Sequence, residues 1–219
     1  MWIWTAIDAK TRLLINFFVG DRTLESCRQF MEKLTATLSG EKPLFTSDEL
    51  ISYATMLKEI YSETIAPEPT GKPGIPRNPK KVVHEDLDYG TVHKTRENGK
   101  VVKVEKKIVF GDMARIMERL NDSPSRTINT SFVERLNGIL RQMDAHLKRK
   151  ALTFAKVIRW FKAKLALVAA YYNFCRSHGT LSRNSDRSTT PRTPAMVAGV
   201  ADHLWNIDEL LGTPYPCNG

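Results

Sequence analysis

The apolar positions change period several times along the chain. WIWTAID (2–8) and RLLINFFVG (12–20) are β-rich runs separated by Ala9-Lys10-Thr11, which predicts an antiparallel hairpin. Leu24, Cys27, Phe30, Met31 and Leu34 then recur at helical spacing, predicting an amphipathic helix that starts between Asp21 and Thr23. KPLFTSDE predicts a short strand ending on Asp48, and ELISYATMLKEIYS a helix directly after it. The prolines and glycines of APEPTGKPGIPRNPKK (66–81) exclude a helix or an interior strand there and predict a loop. Asn98-Gly99 between two extended runs of residues 91–111 is a strong hairpin signal.

Three helices are expected next. FGDMARIMERL gives a short one. A longer one starts at Phe132, with an apolar stripe of Phe132, Leu136, Ile139, Leu140, Met143 and Leu147. The stretch from Thr153 gives a third, running to about residue 177. After a polar loop at 182–194, Thr193-Pro194 suits a helix start, since proline fits the first helical position. WNIDELL closes with a last helical turn or two.

Charge changes the picture. The 219 residues sum to +9, with a pI of about 9.5, and the charge is uneven. Residues 1–65 hold 7 basic and 9 acidic side chains, and the remainder 26 and 15. A basic second part suggests a polyanion partner, most simply nucleic acid. Composition alone is equally compatible with a basic domain that is merely soluble. Between 141 and 164 lie Arg141, Lys148, Arg149, Lys150, Lys156, Arg159, Lys162 and Lys164 against Asp144 alone. The hairpin adds Lys94, Arg96, Lys100, Lys103, Lys106 and Lys107. Such residues neutralise phosphates. Trp160, set among them, is expected to pack in the core.

Cys27, Cys175 and Cys217 are odd in number and widely spaced, which suggests reduced thiols and a cytoplasmic setting. No apolar window approaches a membrane span, and the first residues do not form a secretion signal. Cys175 and His178 have a ligand-like spacing, but the remaining candidates, His84 and His93, lie in a loop and the hairpin, so a closed zinc site is not expected. The sequence has no Gly-rich phosphate loop and no nucleophile elbow.

Two carboxylates stand out. Asp48 ends a strand at a strand–turn–helix junction, where open α/β sheets place ligands. Its alternative role is an N-cap for the helix from Leu50. Ser131 and Glu134 form an S-x-x-E capping box. Glu134 also lies about 200° around the helix from Phe132, away from the apolar stripe, with Gly138 and Arg141 at +4 and +7 on its own face. An acid, a bare glycine and an arginine in a row suit a metal-bound phosphate lying along the helix. A solvated helix face is the plain alternative.

WIWTAIDAKTRLLINFFVGDRTLESCRQFMEKL, LFTSDE, TSFVERLNGILRQ, YYNFCRSHGTL and TPAMVAGVADHLW resemble, in this order, blocks of bacterial insertion-sequence transposases of the DDE type. The resemblance covers nearly the whole chain outside the Pro-rich loop and the hairpin. It implies an α/β, RNase H-like mixed sheet flanked by helices, as in retroviral integrases, with an inserted β-hairpin and a helical C-terminal region. Residues 1–65 would be the first part of the core and 66–110 the insertion. Residues 111–180 would be the second part, with the Glu-bearing and long basic helices, and 181–219 a helical tail.

The family holds two Mg²⁺ ions, replaceable by Mn²⁺, on three acidic residues to cleave and join DNA strands. The resemblance makes Asp48 the second carboxylate and Glu134 the third. Arg141, Lys148, Arg149, Lys150, Lys156 and Arg159 are the DNA-binding candidates, and a homo-oligomer acting on transposon ends and target DNA in the bacterial cytoplasm is implied. The family's first aspartate lies on a strand before the one WIWTAID resembles. The chain is therefore expected to start one strand late and to be impaired as an enzyme. Asp8, at the hairpin turn, is expected to be mobile and turned to solvent and so not to be the missing ligand, with its acting as a substitute the alternative. The alternative function is a non-catalytic DNA-binding or oligomerising remnant.

Overall fold

The computed structural model describes residues 1–66, 78–148, 152–153, 155–184 and 186–212. The chain is mixed α/β and divides into two compact units. One comprises Met1–Trp2 and Gly20–Thr130, the other Ile3–Val19 and Ser131–Gly219.

The first unit is built on a three-stranded mixed sheet. Strand β3 (Leu44–Asp48) runs parallel to β6 (Asp88–Glu97), and β6 runs antiparallel to β7 (Lys100–Phe110), in the order β3-β6-β7. The hairpin expected as an insertion is thus bonded to the strand that carries Asp48. Asn98 and Gly99 turn it with φ of 49° and 79°, the positive values a two-residue primed turn needs. From Lys100 to Lys107 every residue of β7 is exposed, so this end of the ribbon has two wetted faces.

Helix α1 (Leu24–Thr37) starts on Thr23, whose side chain accepts from the Ser26 amide, and buries Cys27, Phe30, Met31 and Leu34. Leu24 itself is exposed. Helix α2 (Ile51–Ile60) is tied to α1 by a two-pronged Arg28–Glu59 pair at 2.7 and 3.1 Å. Helix α3 (Met113–Asn121) is capped by Asp112, which accepts from the amides of Ala114 and Arg115. It packs Ile116 and Leu120 on Val92, Ile128, Leu44 and Ile108. At the start of β6, Asp88 is fully buried and held by Arg115 at 2.6 Å and Arg119 at 3.3 Å.

Three local expectations fail in this unit. The turn out of α2 does not continue the helix, because Ser62 begins strand β4 (Ser62–Ile65). Lys80 and Lys81, read as loop, open strand β5 (Lys80–Val83), which pairs antiparallel with β4. Two edge strands of four residues carry too little alternation to register in sequence. The first extended run of the Asn98-Gly99 hairpin begins at Asp88 rather than Thr91. The body of the Pro-rich loop, 67–77, lies outside the described residues.

The second unit opens with all but the outer residues Trp2 and Gly20 of β1 (Trp2–Ile7) and β2 (Leu14–Gly20), which pair as the expected hairpin. Helix α4 (Ser131–Met143) lays Leu136 and Leu140 against Leu14, Ala169 and Tyr172. Thr5 Oγ1 donates to Asn137 Oδ1 at 3.2 Å, fixing α4 to β1. Helix α5 (Ile158–Ala170) buries Phe161 and Leu165 with Val19. It widens into one π turn, Tyr171–Cys175. There Asn173 clamps β2, accepting from the Leu14 amide and donating to the Leu14 carbonyl, each at 3.0 Å. Short helices α6 (Pro194–Val197), capped by Thr193, and α7 (Ile207–Gly212) follow.

Two helices are shorter than their patterns. Helix α4 ends at Met143 instead of carrying Leu147. Asp144 leaves the helical region at φ −126° and ψ 117°, and its side chain caps a single 3₁₀ turn, Ala145–Leu147. Helix α5 starts at Ile158 rather than Thr153, after Val157 in extended conformation. Trp160, expected in the core, is 64% exposed with the Arg159 guanidinium 5.0 Å from its ring centroid. The later start explains the error: with Phe161 and Leu165 inward, Trp160 lies about 100° off the buried line. Among the described residues no helix is long and apolar enough to cross a membrane. Cys27 and Cys175 are free thiols, and Cys217 lies outside the described residues.

Candidate functional site

Asp48 is the last residue of β3, exposed, in register with Val92 of the parallel neighbour. A parallel pair gathers its strand C-termini at one end, and loops there are free to carry ligands. The alternative role falls away. Leu50 occupies the N-cap of α2 and no side chain caps it. Among the described residues the Asp48 carboxylate takes neither a hydrogen bond nor an ion pair. What surrounds it is polar and partly buried. Ser47 Oγ and Tyr89 Oη lie 2.7 Å apart, and His93 Nδ1 sits 2.7 Å from Glu49 Oε2. Burial first, and then the Asp48 charge, raise the Tyr53 phenol far above its ordinary value. Burial likewise pushes Tyr89 up to about 12, with Asp48 adding to it against the opposing Ser47 hydrogen bond. Both phenols stay neutral beside the carboxylate and are fit to donate.

Glu134 is exposed in the first turn of α4. The helix begins at Ser131 itself, one residue before a capping box on Ser131 would place it. On the Glu134 face a Cβ added at Gly138 would meet nothing within 4 Å, so this stretch of helix surface lies open. Arg141, half-buried, follows it one turn on. The apolar stripe and the outward carboxylate are therefore as the spacing implies. Asp48 belongs to the first unit and Glu134 to the second. Among the described residues no three His, Cys, Asp or Glu side chains gather where they could hold a metal ion.

Asp8 is not turned loose to solvent as expected. Its carboxylate is the acceptor of its own turn, taking the Lys10 amide at 3.2 Å, the Thr11 amide at 2.9 Å and the Thr11 hydroxyl at 2.5 Å. An aspartate used this way fixes a turn.

Of the basic candidates, Lys148, Lys156, Arg159 and Lys162 are exposed on the second unit, around the exposed Leu152, Ile158 and Trp160. Arg149 and Lys150 lie outside the described residues. Lys164 is not available to a ligand. It donates to buried Asp144 at 2.8 Å, beside His146 Nδ1 on the same oxygen at 3.0 Å. In the hairpin, Lys103 pairs with Glu105 and Lys106 donates to Thr127, which leaves Arg96, Lys100 and Lys107 as its exposed cations without such a partner among the described residues.

One arrangement had no signal in the sequence. Arg12, Arg135 and His178, from the β1–β2 turn, α4 and the segment after the π turn, line one cavity of the second unit. Arg12 takes φ of 63° in a turn that nothing in Lys10-Thr11-Arg12 marks as left-handed.

Comparisons with protein-family models, with curated proteins and with solved structures found no match.

Proposed function

We propose that this chain is the catalytic region of a DDE-type transposase with RNase H-like architecture, and that its substrate is DNA. The observation that carries the reading is Asp48, an exposed carboxylate at the C-terminal end of a strand in a parallel pair, without a hydrogen bond or ion pair among the described residues. Glu134 supports it, since it faces outward on α4 with open helix surface at Gly138. Both are hard oxygen donors, the chemistry Mg²⁺ selects and Mn²⁺ accepts.

When bound there, Mg²⁺ supplies Lewis acidity for in-line attack of water or a 3′-hydroxyl on a phosphodiester. Asp48 and Glu134 are the residues that would hold it. Arg141, on the Glu134 face, is placed to take a phosphate oxygen. Lys148, Lys156 and Arg159 would neutralise backbone phosphates, and exposed Trp160 offers a ring face to a base.

A second reading, a DNA-binding protein without cleavage, is favoured by the way Asp8 is tied into its turn. It leaves two carboxylates for a chemistry that the family performs with three. Nicking of a matched transposon-end duplex in Mg²⁺ or Mn²⁺, beside binding of the same duplex, separates the readings. Cleavage lost in both Asp48→Asn and Glu134→Gln supports the first. Tight binding without cleavage supports the second.

A further inference from the structure

The cavity lined by Arg12, Arg135, His178, Ser131, Thr180 and Tyr172 has a volume of about 210 Å³ and lies wholly within the second unit. Its polar lining is cationic and neutral, and no carboxylate is among it. Arg12 is only 8% exposed. Its guanidinium lies 3.5 Å from the centroid of the Phe132 ring, and Nη1 donates to the Ala9 carbonyl at 2.5 Å. Among the described residues it makes no ion pair, and the nearby Asp8 is occupied by its own turn.

His178 is the second unusual group. Its Nδ1 is buried and has no hydrogen-bond partner among the described residues. Its backbone amide donates to the Arg192 carbonyl at 2.9 Å, which fixes the residue at the cavity. Burial, then the guanidiniums of Arg12, Arg135 and Arg176, hold its pKa below the ordinary value. A buried arginine without a counter-ion is costly, and so is a buried ring nitrogen without a partner. A single anion with several acceptor oxygens would satisfy both. Planar guanidinium forks favour tetrahedral oxyanions over monatomic ions.

We propose that this cavity is a phosphate-binding site in which Arg12, Arg135 and His178 hold one phosphate group. The phosphate could be free or belong to nucleic acid, and only the second source rests on the DNA reading above. Bound phosphate would neutralise the cavity and draw a proton onto His178.

The test is NMR of the His178 ring in the full chain. Inorganic phosphate is titrated first, at constant ionic strength set with chloride. A short duplex with and without a 5′-terminal phosphate follows. We expect a saturable shift of the His178 resonances with phosphate, competition by sulfate and none by chloride. Arg135→Gln, an exposed position, should raise the apparent Kd for phosphate about tenfold or more, the loss of one charge-assisted hydrogen bond. Arg135→Lys should recover part of it. If the duplex moves His178 only when 5′-phosphorylated, the ligand is a DNA end; if it does so either way, the ligand is a backbone phosphate. A response to inorganic phosphate with no DNA binding anywhere would keep this site and sink the transposase reading. His178 resonances unmoved by both phosphate and duplex, or a shift unchanged in Arg135→Gln, would overturn the proposal.

Discussion

The Arg12 guanidinium stacks 3.5 Å from the centroid of the Phe132 ring, so the β1–β2 turn is fastened to the first turn of the helix that carries Glu134. The pair is desolvated on the arginine side. Replacing Phe132 by Leu keeps an apolar side chain but removes the ring. We expect a loss of about 0.5–2 kcal/mol in urea unfolding of the full chain, the range of cation–π pairs from exposed to buried. A stability equal to wild type would mean that the stacking is incidental.

Asp144 sets where α4 stops. It is fully buried and shares one oxygen among the His146 amide, the His146 ring and Lys164, while Oδ2 has no partner among the described residues. Burial raises its pKa, and the bonds to Lys164 and His146 outweigh that, so the net shift is downward. A depressed folded-state pKa stabilises the fold above the ordinary aspartate value of ~3.9, and that contribution is lost as the pH falls through the folded-state value. Lys164→Met should therefore lower stability at pH 7, by about 1–3 kcal/mol because Lys164 is partly wetted, and should flatten the acid limb below pH ~4. Acid unfolding curves of wild type and variant check both.

Gly111 is required where it stands. Its φ is +104°, and a Cβ there would run into Asp88 Oδ1 and come within 2.9 Å of the Leu87 carbonyl. Asp88 cannot yield, since Arg115 and Arg119 hold it. Gly111→Ala should cost on the order of 2–4 kcal/mol, combining strain with damage to a buried ion network. Thermal unfolding reads it out, and Gly99→Ala, with open space around its Cβ position, is the milder control.

The exposed cations of the second unit make a separate prediction. Lys148→Ala, Lys156→Ala and Arg159→Ala together should weaken binding to all DNA sequences alike. They should also flatten the log–log salt dependence by up to ~0.9 for each phosphate that is no longer neutralised. Trp160→Ala should affect single-stranded DNA more than duplex, by about 1–3 kcal/mol if the ring stacks on a base. An unchanged salt slope would move the DNA to the ribbon around Arg96, Lys100 and Lys107.

What the sequence revealed follows physical reach. Thr23 and Thr193 act within a turn of themselves, and the helix starts they cap were readable, as were the inward faces of α1 and α4. The Asn98-Gly99 turn was equally local. Errors came where tertiary partners decide. Asp144 ends α4 because Lys164, twenty residues on, stabilises its burial. Trp160 faces outward because α5 starts at Ile158. Arg12 meets Arg135 and His178 only after folding, and each looks like an ordinary polar residue in its own neighbourhood. For the candidate carboxylates, local position showed that Asp48 ends a strand and Glu134 faces out. Asp8 is the exception to that rule: its bonds reach only Lys10 and Thr11, within three residues, so the turn it fixes is local and its expected mobility was a misreading of an Asx-type turn.

The proposed function requires Asp48 and Glu134 to serve the same metal centre. Fe²⁺ loaded in place of Mg²⁺, with ascorbate and peroxide, generates hydroxyl radicals that cut the backbone nearest the ion. Mapping the fragments of the full chain bound to duplex DNA reads the ligands directly. The account predicts two sets of cuts, around residues 46–50 and 132–136, both suppressed by excess Mg²⁺ and both lost in either Asp48→Asn or Glu134→Gln. Cuts at one segment alone, or at two segments that the variants remove independently, would contradict it.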